Sequence, residues 1–386
     1  MSRSVCSLAI AAICAGAILS SGQVHSSTIE TKSAQLTTPA AYVYVAQASN
    51  TGKGQIQGFV VSSNGTLSVI PGSPFPYALN YMTVSGNSMF GVLGGFGVDA
   101  GQMIQSFSIG SNGALTYLTE QKVPDSYGGV ISLYVDRTGS SLYADYLITN
   151  NDYLSYSIAP SSGNLDYVSM LEEGPVQSSP LNFIGSNQFG YSSGCYHYMG
   201  QIYGMERGSD GTLSLLNINP TLPAEKSGGF YCPWLAAADS TNHIAVAMQP
   251  LKMDWSSDGP WQIATYTADT AGNLTTASTY TSMPSVKVGN ITDYKISPSG
   301  KILAVAGSGG LQLFQMNGTN AITQLTGLLT TTPLDQIFWD SGNHIYAISR
   351  SIGKLYIYNL SSTGVSQSPG SPHVLAGIKN LIVVPR

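Results

Sequence analysis

Apolar and polar positions along residues 41 to 386 follow the rhythm of short strands joined by tight turns. Tyr42-Val-Tyr-Val-Ala46 is a continuous apolar run, and Gln55 to Val61 alternates. The turn Ser62-Ser-Asn-Gly65 then leads to Thr66-Leu-Ser-Val-Ile70, and Pro71-Gly-Ser-Pro-Phe75 leads into Asn80-Tyr-Met-Thr-Val84. Short apolar or alternating runs, broken by Gly, Asn, Ser and Pro, read as strand and turn. No stretch carries the period of an amphipathic helix.

The unit repeats. Its mark is a polar turn with Gly before an apolar residue: Asn64-Gly-Thr-Leu67, Asn112-Gly-Ala-Leu115, Gly163-Asn-Leu165, Asp210-Gly-Thr-Leu213 and Gly272-Asn-Leu274, with weaker copies at Ala321-Ile322 and Gly364-Val365. The apolar anchors fall at 67, 115, 165, 213, 274, 322 and 365, in steps of 48, 50, 48, 61, 48 and 43. An inner turn recurs as Asp136-Arg-Thr-Gly139, Asp239-Ser-Thr-Asn242, Ser297-Pro-Ser-Gly300 and Asp340-Ser-Gly-Asn343. One such unit cannot bury its apolar face alone. Seven of them predict an all-β fold, a seven-bladed propeller of four-stranded antiparallel sheets. The propeller begins with what is elsewhere a second strand (Ala41 to Ala46) and ends with what is elsewhere a first one (Lys379-Asn-Leu-Ile-Val-Val384). Pairing these two segments closes the ring and removes open sheet edges.

Composition narrows the partners. Charged residues make up 9% of the chain, against about 25% in an ordinary soluble domain. The net charge is −5 and no cluster of Lys or Arg is present, which argues against nucleic acid and anionic membrane surfaces. Residues 1–22 read as a signal peptide: Arg3 supplies the basic start, Val5 to Leu19 the apolar stretch, and Ser20-Ser21-Gly22 the small-residue cleavage site. That stretch is shorter than the roughly 20 residues of a membrane span. The expected product is periplasmic or extracellular and monomeric, with a linker over 23–40 and the propeller over 41–386. Without Arg3 the mature chain has fourteen basic and twenty acidic residues.

Cys6 and Cys14 leave with the signal, so Cys195 and Cys232 remain. In an oxidising compartment an even pair reads as one disulfide, and two buried thiols are the alternative. The spacing matches no metal-ligand pattern, and no metal or other cofactor is expected. The sequons at Asn64, Asn273, Asn290, Asn317 and Asn359 include residues that the turns need anyway.

The run Tyr42-Val-Tyr-Val-Ala, with Asn64-Gly-Thr-Leu-Ser, Pro71-Gly-Ser-Pro-Phe75, a second Pro369-Gly-Ser-Pro372 and Ser297-Pro-Ser-Gly-Lys301, resembles the repeat of the lactonase-like seven-bladed propellers. These include propeller-type 6-phosphogluconolactonases and exported bacterial proteins with the YVTN-type repeat. The resemblance covers about 41 to 386. It implies the fold and raises lactone hydrolysis as an activity, although one propeller scaffold hosts many functions. Basic residues to hold a phosphate are few: Lys287, Arg350 and Lys379 are the ones placed on the loop-rich face.

On that face three groups of candidates arise. The loop from Gln249 to Trp261 carries Asp254, Trp255, Asp258 and Trp261. The Trp pair is either a stacking platform for a sugar or peptide, or a plug between blades. Near the starts of the innermost strands lie Asn80, Ser132, Asn182, Asp293, Asp335 and Asn380, with an uncertainty of one residue in register. They are either ligands or a solvated channel lining. Hydrolysis needs a base and oxyanion donors. His197 and His373 are the loop histidines for that task, with Asp293, Asp335 or Glu173 to orient water. No GxSxG, HExxH or phosphate-loop motif is present in a suitable context. Two functions stay open: binding of a small molecule, sugar or protein through the loop-rich face, and hydrolysis of a lactone.

Overall fold

In the computed structural model the described residues are 39–48, 54–94, 102–124, 128–147, 151–172, 180–196 and 199–386. The signal peptide, most of the linker, Glu173 and His197 lie outside them. The described residues form seven antiparallel sheets and no helix. Blade 1 runs outward as Tyr81–Ser85, Ser88–Val92, Met103–Ile109 and Leu115–Lys122. Blade 2 follows over 129–171, blade 3 over 182–215, blade 4 over 230–275, blade 5 over 291–330 and blade 6 over 336–374. Each repeat anchor, from Leu67 to Val365, lies in the outermost strand of its sheet.

Blade 7 joins the two ends of the propeller. Ile378–Pro385 pairs with Ala41–Ala48, in register from Ala41 opposite Pro385 to Ala46 opposite Asn380. Arg386 N adds a bond to Ala40 O at 3.0 Å. The ring is closed as the strand order implies.

Burial explains the hydrophobic pattern. Each sheet is covered on both faces by its neighbours, so second strands such as Tyr42 to Ala46 and Ile345 to Ile348 are buried at every position. That is the physics of a two-sided core, and it removes the alternation a half-exposed strand shows. An apolar cluster fills each of the seven contacts between adjacent blades, and a small one around Cys195 and Cys232 adds to the contact of blades 3 and 4; one packs Tyr44 and Ile56 of blade 7 on Met89 and Phe107 of blade 1. The outermost strands are largely exposed, as in Leu115–Lys122.

The repeated turn is an inter-blade latch. Asn64, Asn112 and Asp210 each accept the backbone N–H two residues on, at 3.1, 3.0 and 3.0 Å, which forms the turn. The glycine that follows carries the second function. Tyr44, Tyr143 and Tyr191 each donate a phenolic hydrogen bond to a turn-glycine carbonyl in the next blade, Gly113, Gly211 and Gly272, at 2.6, 3.0 and 2.8 Å. Gly113 has φ of 83°, and a Cβ there would sit 2.9 Å from the Tyr42 ring. Both positive φ and close approach demand glycine. Both Pro-Gly-Ser-Pro copies are alike: Ser73-Pro74 and Ser371-Pro372 are cis, and the serine hydroxyls accept Gly58 N and Ile357 N at 2.8 and 2.9 Å.

Candidate functional site

The innermost strands surround a central channel, which opens at the loop-rich face into a cavity of about 370 Å³. Ser132 and Tyr134 of blade 2, Thr292, Asp293 and Lys295 of blade 5, Asp335, Gln336 and Arg350 of blade 6, and Asn380 of blade 7 line it. Four of the six expected channel residues therefore meet here: Ser132, Asp293, Asp335 and Asn380. Asn80 and Asn182 do not line this cavity. Asn80 Nδ2 donates to Leu93 O, and Asn182 Nδ2 donates to Pro180 O and Ala236 O at 2.7 and 2.8 Å.

The polar groups of the inner strands largely fasten one blade to the next. Asp293 is 8% exposed. Its Oδ1 accepts Tyr294 N at 2.8 Å and Lys295 Nζ at 3.1 Å, and its Oδ2 accepts Ile337 N of blade 6 at 2.7 Å. Gln336 makes a reciprocal pair with Leu381 of blade 7, accepting its N–H at 2.9 Å and donating to its carbonyl at 3.1 Å. Asp335 Oδ2 accepts Arg350 N at 2.6 Å, and Arg350 Nε donates to Lys379 O at 2.8 Å, an arrangement that caps the lip. These bonds hold both carboxylates against the neighbouring backbone.

Two further groups face the cavity: Tyr134, whose phenol is paired with the Ser132 side chain, and Asn380. Tyr134 lines the cavity, and burial, followed by the Asp145 and Asp293 carboxylates, pushes its phenol far above the ordinary value. It stays a neutral donor at any physiological pH. Asn380 is 7% exposed, and its carboxamide Oδ1 has no hydrogen-bond partner among the described residues. An unmet buried acceptor costs about 1–3 kcal/mol, and a ligand hydroxyl or amine removes that cost.

The other candidates lie elsewhere. His373 pairs with Leu355 in the outer half of blade 6 and does not line the channel cavity. Burial lowers its pKa, and its Nε2 has no hydrogen-bond partner among the described residues. No histidine among the described residues lines that cavity. Trp261 is buried at 8% exposure in the core between blades 4 and 5, and its carbonyl accepts Val286 N at 2.7 Å. Trp255 is 38% exposed at a φ of 67° and packs edge-on against Phe230, with centroids 5.4 Å apart. Asp254 caps its own turn, accepting Ser256 N at 3.0 Å, while Asp258 Oδ2 has no hydrogen-bond partner among the described residues. Trp255 and Trp261 thus form no common platform. Cys195 and Cys232 are bonded, with Cα atoms 5.3 Å apart. They join the end of the second strand of blade 3 to the start of blade 4. No three His, Cys, Asp or Glu side chains among the described residues converge on a metal position.

Gln336, Tyr134 and Lys295 went unnamed as candidates at the sequence level. Gln336 is the blade 6 counterpart of Asp293, one residue beyond Asp335, which the stated register uncertainty covers. Tyr134 and Lys295 give no signal in the one-dimensional pattern.

No protein-family model and no curated protein sequence matches the chain. Solved structures do. A protein of Bacteroides uniformis ATCC 8492, described as a candidate 6-phosphogluconolactonase, superposes with a TM-score of 0.66 at 12% identity, over 90% of this chain and 100% of that one. The periplasmic gluconolactonase PpgL of Pseudomonas aeruginosa gives 0.64 at 12%, over 89% and 99%. The chain has a seven-bladed β-propeller fold, shared with these two proteins. A looser likeness, with a TM-score of 0.51 at 13% identity over 86% and 85%, is to Chaetomium thermophilum Sqt1 bound to the N-terminus of ribosomal protein L10. At these identities the propeller fold is what is shared, and the chemistry rests on the residues of this chain.

Proposed function

We propose that the protein is an exported, monomeric propeller that binds a polar ligand through its loop-rich face, with the channel mouth as the ligand's seat. The observation that carries this reading is Asn380, a buried acceptor without a partner in a cavity whose carboxylates are already engaged. Such a site is prepared to receive a donor and poorly prepared to activate water. Export is supported by the apolar stretch from Val5 to Leu19 and by the Cys195–Cys232 bond.

Lactone hydrolysis is the second reading, favoured by the fold of PpgL and the Bacteroides protein. It would draw on His197 or His373 as base and on Asp293, Asp335 or Glu173 to orient water; His197 and Glu173 lie outside the described residues. One experiment separates the two. The protein is titrated calorimetrically with aldonolactones, aldonates and neutral hexoses, and proton release from the lactones is followed at constant pH. Binding without proton release, weakened about tenfold by Asn380→Leu, is the expected result. Turnover that disappears on His197→Ala or on His373→Ala would replace binding with hydrolysis.

A further inference from the structure

The opposite end of the channel, where the inner turns gather, holds a cation that the repeat does not call for. In the turn Asp136-Arg137-Thr138-Gly139 the second residue is Arg137, where the other copies have Ser240, Pro298 and Ser341. Its guanidinium is fixed at several points. Nε donates to Phe183 O of blade 3 at 2.5 Å, and Nη2 donates to Ala238 O at 3.0 Å and to Asp239 O, both of blade 4. The backbone N–H of Arg137 is held by Asn187 Oδ1 at 2.8 Å. Its remaining nitrogen, Nη1, donates to nothing among the described residues.

Two cavities, of about 350 and 210 Å³, meet at Arg137 and Phe338. The smaller is also lined by Lys295, Ser240 and Ser297. The Ser240 hydroxyl makes no hydrogen bond among the described residues. The carboxylates nearby are engaged: Asp136 by Ser141 N at 2.8 Å, Asn187 Nδ2 at 2.6 Å and Arg207 at 3.3 Å, and Asp239 by Thr241 N at 2.8 Å and His243 Nδ1 at 2.9 Å. An arginine immobilised through one edge, with the other edge open, loses little further freedom on binding an anion.

We propose that the turn end of the channel binds a small oxyanion group (phosphate, sulfate or carboxylate) on Arg137 Nη1, with Lys295 and the Ser240 hydroxyl as the other donors. Charge-assisted bonds to a planar guanidinium are the strong and directional ones. Lys295 also lines the channel-mouth cavity, where its Nζ donates to Asp293 Oδ1 at 3.1 Å, so the two ends of the channel share that residue, while the turn-end site makes no use of Asn380.

Calorimetric titration of the full chain with inorganic phosphate and with sulfate, against chloride at equal ionic strength, tests it, and acetate reports whether a carboxylate suffices. Phosphate or sulfate is expected to bind saturably, about tenfold more weakly in Arg137→Lys and in Lys295→Met, and unchanged in Asn380→Leu. Because Arg137 also clamps three carbonyls, its replacement risks the fold. Ser240→Asp, on an exposed turn, sets a carboxylate beside the cation and is expected to abolish anion binding without unfolding the ring. Anions no more effective than chloride, or binding unchanged in folded Lys295→Met and Ser240→Asp, would overturn the proposal.

Discussion

Asp340 is completely buried at the inner turn of blade 6. Its Oδ1 accepts Gly342 N and His344 N at 2.8 and 2.9 Å, while Oδ2 pairs with His344 Nδ1 at 2.6 Å and accepts the Tyr346 hydroxyl at 2.7 Å. Burial alone would raise its pKa, but these bonds outweigh burial and hold it below the ordinary 3.8. A carboxyl depressed on folding adds stability above its unfolded pKa and loses it as pH falls through the folded value. Asp340→Asn is therefore expected to cost about 1–3 kcal/mol at pH 7. The gap between variant and wild type should shrink below pH ~3.8, toward the folded pKa. Urea unfolding at pH 7 and pH 3 checks both the size and the sign. Residue roles of this kind were partly legible. The Asp and Gly of a turn announce themselves by spacing, but the carbonyl that a tyrosine such as Tyr143 finds in the next blade has no sequence trace.

At the scale of the element, the outermost strands were the most legible, because the turn before them is polar and the anchor after it is apolar. The innermost strands were the least. They are covered on both faces, so polar and apolar residues no longer alternate, and the residue facing the channel cannot be read to better than one position. That is why Asp335 was named and Gln336 was not. Part of the extra length between the anchors Leu213 and Leu274 lies in the connection between Leu215 and Phe230, ahead of the first strand of blade 4. The disulfide stands where this connection ends. Cys195 and Cys232 enclose a segment with a sequence separation of 37. Constraining such a loop in the unfolded chain is worth about 3–4 kcal/mol. The paired substitution Cys195→Ala and Cys232→Ala should lower the unfolding free energy by that order, measured by denaturant titration without reductant. Equal stability of the two proteins would remove the bond from the account of the fold.

For the whole molecule, the issue is whether the ring is one cooperative body or seven sheets in series. Stability in an open array is a sum over neighbours, and its ends fray independently. Closure changes that here, because Ile378–Pro385 is simultaneously the innermost strand of blade 7 and a wall of the cores shared with blades 6 and 1. Ile378, Leu381, Ile382, Val383 and Val384 are each at most 3% exposed. Burying one such side chain is worth about 1.5–3 kcal/mol, so the strand contributes roughly 8–15 kcal/mol, as much as the ~5–15 kcal/mol stability of a typical domain. Deleting residues 379–386 is expected to abolish the cooperative transition or lower its midpoint by tens of degrees. The outer edge of the same blade offers the contrast: Val69 is 58% exposed, and Val69→Ser should change stability by less than about 0.5 kcal/mol. Calorimetry of the three proteins decides the matter. A truncated chain that melts with the full-length midpoint would mean that the terminal strands do not close the ring, whereas loss of cooperativity confined to the truncation places the energetic weight at the channel rather than at the rim.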